Sequence, residues 1–284
     1  METVFAIGLD TVSFVLTLLL VTLGLVVIYG MMNVINMAHG ELFLVGAYTL
    51  VAVQAAGGPF WLGVLLAPIV VGAIGLLIEE LVIRHVYGRA IDTILATWGI
   101  SLVLKQGIIV LFGPQAISVA TPLPGAVQLA GIEYPSYRLL IMLVSASLAA
   151  AIYFALYLTP VGLQIRGVIA NRAMAGSLGI NTRLMDRGTF AIGAGLAGIA
   201  GAVMAPIMSV DPQMGVGFLI PAFLAVLVGG LNSLVGAIFG AGIIGGATTT
   251  FSSFMSQALA QILVFALAIV IIRAFPTGLS KRGR

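Results

Sequence analysis

A polar segment between two apolar stretches holds the side chains best suited to chemistry. It reads NVINMAHGE over residues 33–41. Ionisable and amide groups are rare at membrane depth, where they face a cavity or a partner. Asn33, Asn36 and His39 therefore predict a path for a polar solute, with Asn36 and His39 three residues apart on one helix face. Hydrogen bonding between helices is the structural alternative for this pair, and we expect Glu41 to form an ion pair.

A second set of polar side chains lies in the fourth apolar stretch. Thr97, Ser101 and Lys105 follow each other at intervals of four and so form a stripe along one helix face, with Trp98 beside it. Hydrogen-bonding groups and an aromatic wall suit a small neutral solute. Thr97, Trp98 and Ser101 are thus further path candidates, although a Trp is also a common membrane-interface anchor. Lys105 is expected to extend outward and meet Glu133.

The residue types for catalysis are scarce. The chain has no Cys and two His, far apart in sequence. A metal site or a nucleophile–base pair has little to build from. We expect no catalytic residue and no metal ligand in this chain, and hence a protein that is not an enzyme.

The elements that must position these residues are membrane helices. Of the 284 residues, 61% are hydrophobic and 7% are charged, and the apolar runs are too long for barrel strands. The composition predicts an all-α fold, a polytopic transmembrane bundle in one domain over 1–284. The 36 Gly suit close helix packing. Scattered Lys and Arg orient such a protein in lipid rather than bind nucleic acid.

Eight or nine crossings are expected, of which the seventh is short enough to be broken or re-entrant. The predicted spans are 11–32, 34–56, 62–84, 92–112, 138–159, 187–209, 218–231, 234–255 and 257–275.

Positive charge collects on one side of this topology. Ten of the twelve Lys and Arg share one set of connections: Arg84, Arg89, Arg166, Arg172, Arg183, Arg187, Arg273, Lys281, Arg282 and Arg284. Positive residues favour the cytoplasmic side. The N-terminus is therefore predicted outside, and the C-terminus in the cytoplasm.

Two connections are longer than turns. The outer one, 113–137, predicts an ordered excursion. The inner one predicts a helix over 164–180 in which Arg166, Ala170 and Ala173 fall at helical spacing and which ends at Gly179. Its small side chains permit insertion into a groove of another protein. A surface helix lying in the lipid headgroups is the alternative.

A short echo hints at an internal repeat. GGLN at 229–232 resembles GMMN at 30–33, and transporters often carry repeats about a central site. A true repeat would place Asn33 and Asn232 at related positions near a gate.

Four segments together resemble a known family. They are NMAHGE at 36–41, YGRAIDTILATWGISL at 87–102, NRAMAGSLGI at 171–180 and GGLNSLVG at 229–236. In this order they resemble the permease subunits of bacterial ABC importers for branched-chain amino acids, urea and short amides. The resemblance implies a second homologous permease, two cytoplasmic ATPases, a periplasmic binding protein and an inner-membrane location. It also implies that ATP and Mg bind the ATPases and that this chain carries no cofactor, in keeping with its lack of a Walker pattern.

The resemblance further implies roles for individual residues. The helix at 164–180 would be the coupling helix, with Arg166, Arg172, Ala173, Ala175 and Gly179 at the ATPase contact. Arg172 stands where most importer permeases have an acidic residue.

The solute is predicted from the segment at 87–102, which looks closest to the urea and short-amide branch, largely through Trp98. A branched-chain amino-acid permease is the alternative. Its solute would need fixed charges or a helix N-terminus for its carboxylate and ammonium, whereas urea would need neutral donors and acceptors. The alternative of another class is a self-contained channel or secondary transporter for a small neutral solute.

Overall fold

The computed structural model describes residues 2–129, 131–231, 233–276 and 278–279. The helices are α1 Glu2–Met32, α2 His39–Ala55, α3 Phe60–Leu81, α4 Ala90–Phe112, α5 Ser136–Leu158, α6 Pro160–Ala170, α7 Arg172–Ser177, α8 Thr182–Met204, α9 Met214–Gly229, α10 Leu234–Phe254 and α11 Gln257–Ala274. Two short strands, β1 Ala126–Leu129 and β2 Ile132–Pro135, form an antiparallel hairpin. Asn232 and the basic residues 281–284 lie outside the described residues.

Seven of the described helices are long and apolar enough to cross a membrane. α2, with 17 residues, and α9, with 16, are shorter helices of the bundle. The predicted eight or nine crossings thus correspond to seven long helices and two short ones. The polytopic helical architecture is confirmed, and the expected short seventh segment is α9.

The centre of the bundle is a close crossing of α1 and α8. A Cβ on Gly193 would lie 2.8 Å from the carbonyl oxygen of Gly24, and a Cβ on Gly24 would meet the carbonyl of Gly193. The helices are antiparallel, since Thr189 near the start of α8 contacts Met31 at the end of α1. Only Gly lets two backbones approach this closely.

Two halves of the chain pack as an inverted repeat. α1 packs along α10 while α8 packs along α3, and α2 packs on α3 as α9 packs on α10. The short helices also meet near their N-termini, where Gly40 and Gly215 are in mutual backbone contact. Exchanging α1–α3 with α8–α10 therefore leaves the pattern of contacts unchanged, as expected for the inverted repeats of transporters.

The sequence echo does not mark this repeat. Residues 30–32 end α1, whose counterpart is α8, whereas residue 229 ends α9, whose counterpart is α2. The two places are instead neighbours, because a Cβ on Gly30 would lie 3.8 Å from the carbonyl oxygen of Leu231. Because Asn232 lies outside the described residues, its relation to Asn33 stays a prediction.

The two ends of the bundle differ in charge and in the connections that cover them. Arg84, Arg172 and Arg183 gather at one end, called here the basic end. The excursion 113–137 covers the opposite end as an ordered structure. Its hairpin residue Tyr134 reaches the carbonyl of Leu9, and Ile117 forms a β-bridge with Val210.

The bounds of several predicted helices differ, since α1 begins at Glu2 rather than residue 11 and α8 covers Thr182–Met204 rather than 187–209. Two further differences bear on the site. The second span begins at His39 rather than residue 34, because residues 33–38 are irregular. The helix expected over 164–180 is two helices, α6 and α7, separated at Asn171. This residue is extended, with φ −155° and ψ 100°, and its side chain caps α7 by accepting a hydrogen bond from the backbone N–H of Met174.

Candidate functional site

Polar side chains within the irregular segment 33–38, before α2, stabilise its non-helical conformation. Asn33 has φ 52°, the left-handed region that Asn tolerates better than most residues. Asn36 is fully buried, and its Oδ1 accepts a hydrogen bond from the backbone N–H of Ala38. Its Nδ2 is buried with no hydrogen-bond partner in the described part of the chain. Asn36 thus supplies an unused donor inside the bundle.

His39 begins α2 and is fully buried against α1. Its Nε2 lies 3.1 Å from the carbonyl oxygen of Val21, while its Nδ1 is buried without a partner among the residues described. A Cβ on Gly24 would lie 2.8 Å from the ring. The expected shared helix face of Asn36 and His39 is not found, since Asn36 precedes the helix. Both nevertheless carry orphan polar atoms at this depth.

The polar stripe of α4 faces α2. Thr97 is buried, and its Oγ1 accepts a hydrogen bond of 3.1 Å from the backbone N–H of Met37. Ser101 is buried one turn further on. Trp98, by contrast, is 54% exposed on another face of the helix. The structure therefore brings Thr97 to the segment 33–38 but does not bring Trp98 beside it.

Lys105 ends the stripe in a polar cluster between α2, α4 and the start of α9. Its Nζ lies 4.0 Å from Oε1 of Glu41 and donates a 3.2 Å hydrogen bond to Oε1 of Gln213. Glu41 pairs with this residue rather than with a loop Arg, and the expected contact of Lys105 with Glu133 is wrong. Neither partnership has a sequence signal, because the three residues come from distant parts of the chain.

An ionic network closes the basic end. Glu80 receives hydrogen bonds from Arg84, Arg183 and Arg187. The Arg84 contact is the i, i+4 pair visible in the sequence, while the other two tie the end of α3 to the start of α8.

Tyr87 joins this network through the neighbouring acid. Its hydroxyl donates a 2.7 Å hydrogen bond to Glu79, which is buried and lies 3.8 Å from Nε of Arg187. Burial, and then the hydrogen bond to Glu79, raise the pKa of Tyr87. The Tyr-Gly-Arg motif, residues 87–89, therefore stabilises this local structure through Tyr87.

The segment from α6 to α7 presents an apolar surface at the basic end. Ala173, Met174 and Leu178 are exposed, whereas Ala175 is buried. Gly179, with φ 84°, ends α7, and the backbone N–H of Ile180 returns to the carbonyl of Ala175. The predicted role of Gly179 in ending a helix is thus confirmed.

The side chain of Arg172 is held in place by α8. Its guanidinium donates two hydrogen bonds to the buried carboxylate of Asp186 in α8. The hydrogen bond to Asp186 raises the pKa of Arg172. α7 is therefore connected to α8 by an ion pair as well as by the chain. Asp186 is therefore a positioning residue for α7.

Arg166 faces away from the exposed surface of α7. Its guanidinium lies 5.2 Å from the centre of the Tyr157 ring and lines a cavity of about 590 Å³ between α1, α5, α6 and the α9–α10 connection. The structure therefore separates Arg166 from Ala173, which it places on the open surface.

This architecture defines a class of protein: a polytopic helical membrane transporter built on an inverted repeat. The family model "Branched-chain amino acid transport system / permease component" matches residues 8–272. The chain therefore belongs to this permease family of ABC importers.

Individual relatives agree in length. The chain is 27% identical to the high-affinity branched-chain amino acid transport system permease protein LivH of Salmonella typhimurium and to that of Escherichia coli, over 94% of this chain and 92% of each relative. It is likewise 27% identical to the corresponding permease protein BraD of Pseudomonas aeruginosa, with the same coverage. No solved structure matches the chain.

Proposed function

We propose that the chain is the permease subunit of an ABC importer that moves branched-chain amino acids across the bacterial inner membrane. The family match over 8–272 carries the proposal, together with relatives of nearly equal length whose names state this transport. As a permease component it contributes no chemical step. ATP hydrolysis, and with it Mg, belongs to separate ATPase subunits.

Urea and short amides, the solutes first expected, receive no support from the comparisons, whose relatives are named for branched-chain amino acids. Of the segment that suggested them, Tyr87 is hydrogen-bonded to Glu79 and Trp98 lies on the exposed face of α4. An amino acid, moreover, needs charged partners, and α2 and α4 place Glu41 and Lys105 inside the bundle.

The import mechanism is alternating access. A periplasmic binding protein delivers the solute, and two cytoplasmic ATPases move a pair of homologous permeases between outward-open and inward-open states. Each ligand must favour one state over the other, since equal affinity shifts nothing. The α6–α7 segment is the proposed ATPase contact, because its exposed Met174 and Leu178 give an apolar surface beside small residues.

The proposed solute path keeps the residues named from the sequence, with different weights. Asn36 and His39 have orphan polar atoms, and Ser101 is buried along the same stripe as Thr97. Trp98 is on the exposed face of α4, so it lines the path only where the partner permease covers that face.

Uptake by the complete importer tests the proposal. Proteoliposomes holding both permeases, the ATPases and the binding protein are expected to accumulate labelled leucine only with ATP, and excess isoleucine or valine should compete. Excess urea, acetamide or formamide should not. Accumulation of urea in place of leucine would overturn the solute, and leucine flux without the ATPases would favour a self-contained carrier.

A further inference from the structure

Glu41 and Lys105 place opposite charges inside a bundle of apolar helices. The Glu41 side chain is 3% exposed and the Lys105 side chain 20%. Lys105 lies about two turns before the end of α4, and Glu41 is in the first turn of α2. Charges at such depth are costly and mark solute or ion sites by default.

The two charges do not satisfy each other. Their 4.0 Å separation is longer than the roughly 2.7–2.9 Å of a hydrogen-bonded ion pair, and Lys105 bonds Gln213 instead. Glu41 Oε2 is buried with no hydrogen-bond partner among the described residues. Buried polar atoms are nearly always hydrogen-bonded, so this carboxylate has capacity for a donor that the chain does not supply.

A second orphan lies on the same face of α2. Tyr48 is two turns after Glu41, and its hydroxyl is also buried without a partner in the part of the chain described. Its ring packs against Phe112 of α4, with centroids 4.9 Å apart. Asp211 belongs to the same region, because its Oδ1 accepts a 2.7 Å hydrogen bond from the backbone N–H of Gln213, the residue that Lys105 contacts. The region thus offers two acids, one Lys and an apolar ring surface.

We propose that Glu41 and Lys105 bind the head group of the transported amino acid. Glu41 accepts hydrogen bonds from the α-ammonium, and Lys105 donates to the α-carboxylate, so that the zwitterion lies beside the pair and bridges the two charges. The apolar side chain then has the Tyr48–Phe112 rings nearby. The assignment rests on the proposed function. An importer of amides, whose head groups are neutral, would not need these two charges.

Substitutions in the complete importer test the assignment by leucine uptake into proteoliposomes with saturating binding protein. Glu41→Gln and Lys105→Met are each expected to lower uptake about tenfold or more, because each removes a charged hydrogen bond to the solute. The ATPases should still co-purify with the substituted permease. The matched control is Arg138→Gln, which breaks an exposed 2.7 Å pair with Asp10 and should leave uptake unchanged.

Two double variants separate solute binding from structure. Glu41→Met with Lys105→Met should still assemble with the ATPases, because apolar replacement of buried opposite charges is usually tolerated, yet it should not transport leucine. Glu41→Lys with Lys105→Glu keeps an ion pair but reverses the site, so uptake should stay low.

The outcomes distinguish this site from the proposed function. Normal uptake by the single variants, or uptake restored by the charge reversal, would overturn the site while leucine import stood. Absence of leucine import by the unsubstituted complex would overturn both.

Discussion

Thr97 shows how one side chain can organise a functional segment. Its hydroxyl donates to carbonyls of its own helix and accepts from the N–H of Met37, which has left α1 and has not yet entered α2. Buried backbone groups outside regular structure need such partners. Thr97 therefore stabilises the segment 33–38 by satisfying one of its backbone N–H groups. This capping role is compatible with a place along the solute path.

Thr97→Val tests this role because it keeps the shape of the side chain and removes the acceptor. It is expected to lower the unfolding free energy by about 1–3 kcal/mol, the cost of an unsatisfied buried N–H, seen as a lower melting temperature of the detergent-solubilised complex. Thr49→Val is the control, because the Thr49 hydroxyl donates to the carbonyl of Val45 in its own helix and, among the described residues, has no bond to another segment. Equal melting temperatures for the two variants would exclude the capping role.

At the scale of elements, the residues of the proposed solute path and ATPase contact lie at or beside interruptions of the helices. α2 and α9 are short and meet at Gly40 and Gly215, and the polar atoms of Asn36, His39 and Glu41 lie at the start of α2. α6 and α7 are likewise one expected helix broken at Asn171. The break lets α6 line a cavity while α7 presents Ala173 outward and remains tied to α8 through Asp186.

Ala173→Arg tests the docking surface of α7. Added bulk and charge on this exposed position should block insertion into an ATPase groove, so the ATPases should no longer co-purify with the permease pair. Ala274→Arg is the matched control, because Ala274 is also exposed, at the end of α11 and outside the α6–α7 segment. Normal ATPase recovery with Ala173→Arg would contradict the docking role.

At the scale of the molecule, two properties set how the protein works. The inverted repeat places the crossing of α1 and α8 at the centre, so that two similar halves can move about it. The uneven distribution of Arg gives the bundle one basic end, where α6–α7 and the Glu80 network both lie. We propose that this end faces the cytoplasm.

The absence of Cys from the sequence makes this orientation directly testable. With Gln128→Cys in the hairpin, a membrane-impermeant maleimide should label the protein in cells whose outer membrane alone has been opened. Ser177→Cys at the end of α7 should react only after the inner membrane is also opened. The opposite pattern of labelling would invert the proposed topology.

Much about this protein follows from the sequence alone. Apolar runs of spanning length must form helices in lipid, because a backbone without water satisfies its hydrogen bonds only within a helix or a closed barrel. The helical class, the interruption near Asn33, the short seventh segment and the stop at Gly179 are all local consequences of composition and spacing.

Only the tertiary structure decided which distant residues meet. We expected Asn36 and His39 on one helix face, but the chain stays irregular until His39. Within this irregular segment, Thr97 of α4 accepts the hydrogen bond of the Met37 backbone N–H. Glu41 and Lys105, the inverted repeat, and the pairing of Arg172 with Asp186 arise from helix packing, in which partners are chosen by contacts between segments far apart in sequence. Periodicity along one helix shows which side chains share a face, whereas the identity of the facing helix depends on the whole bundle.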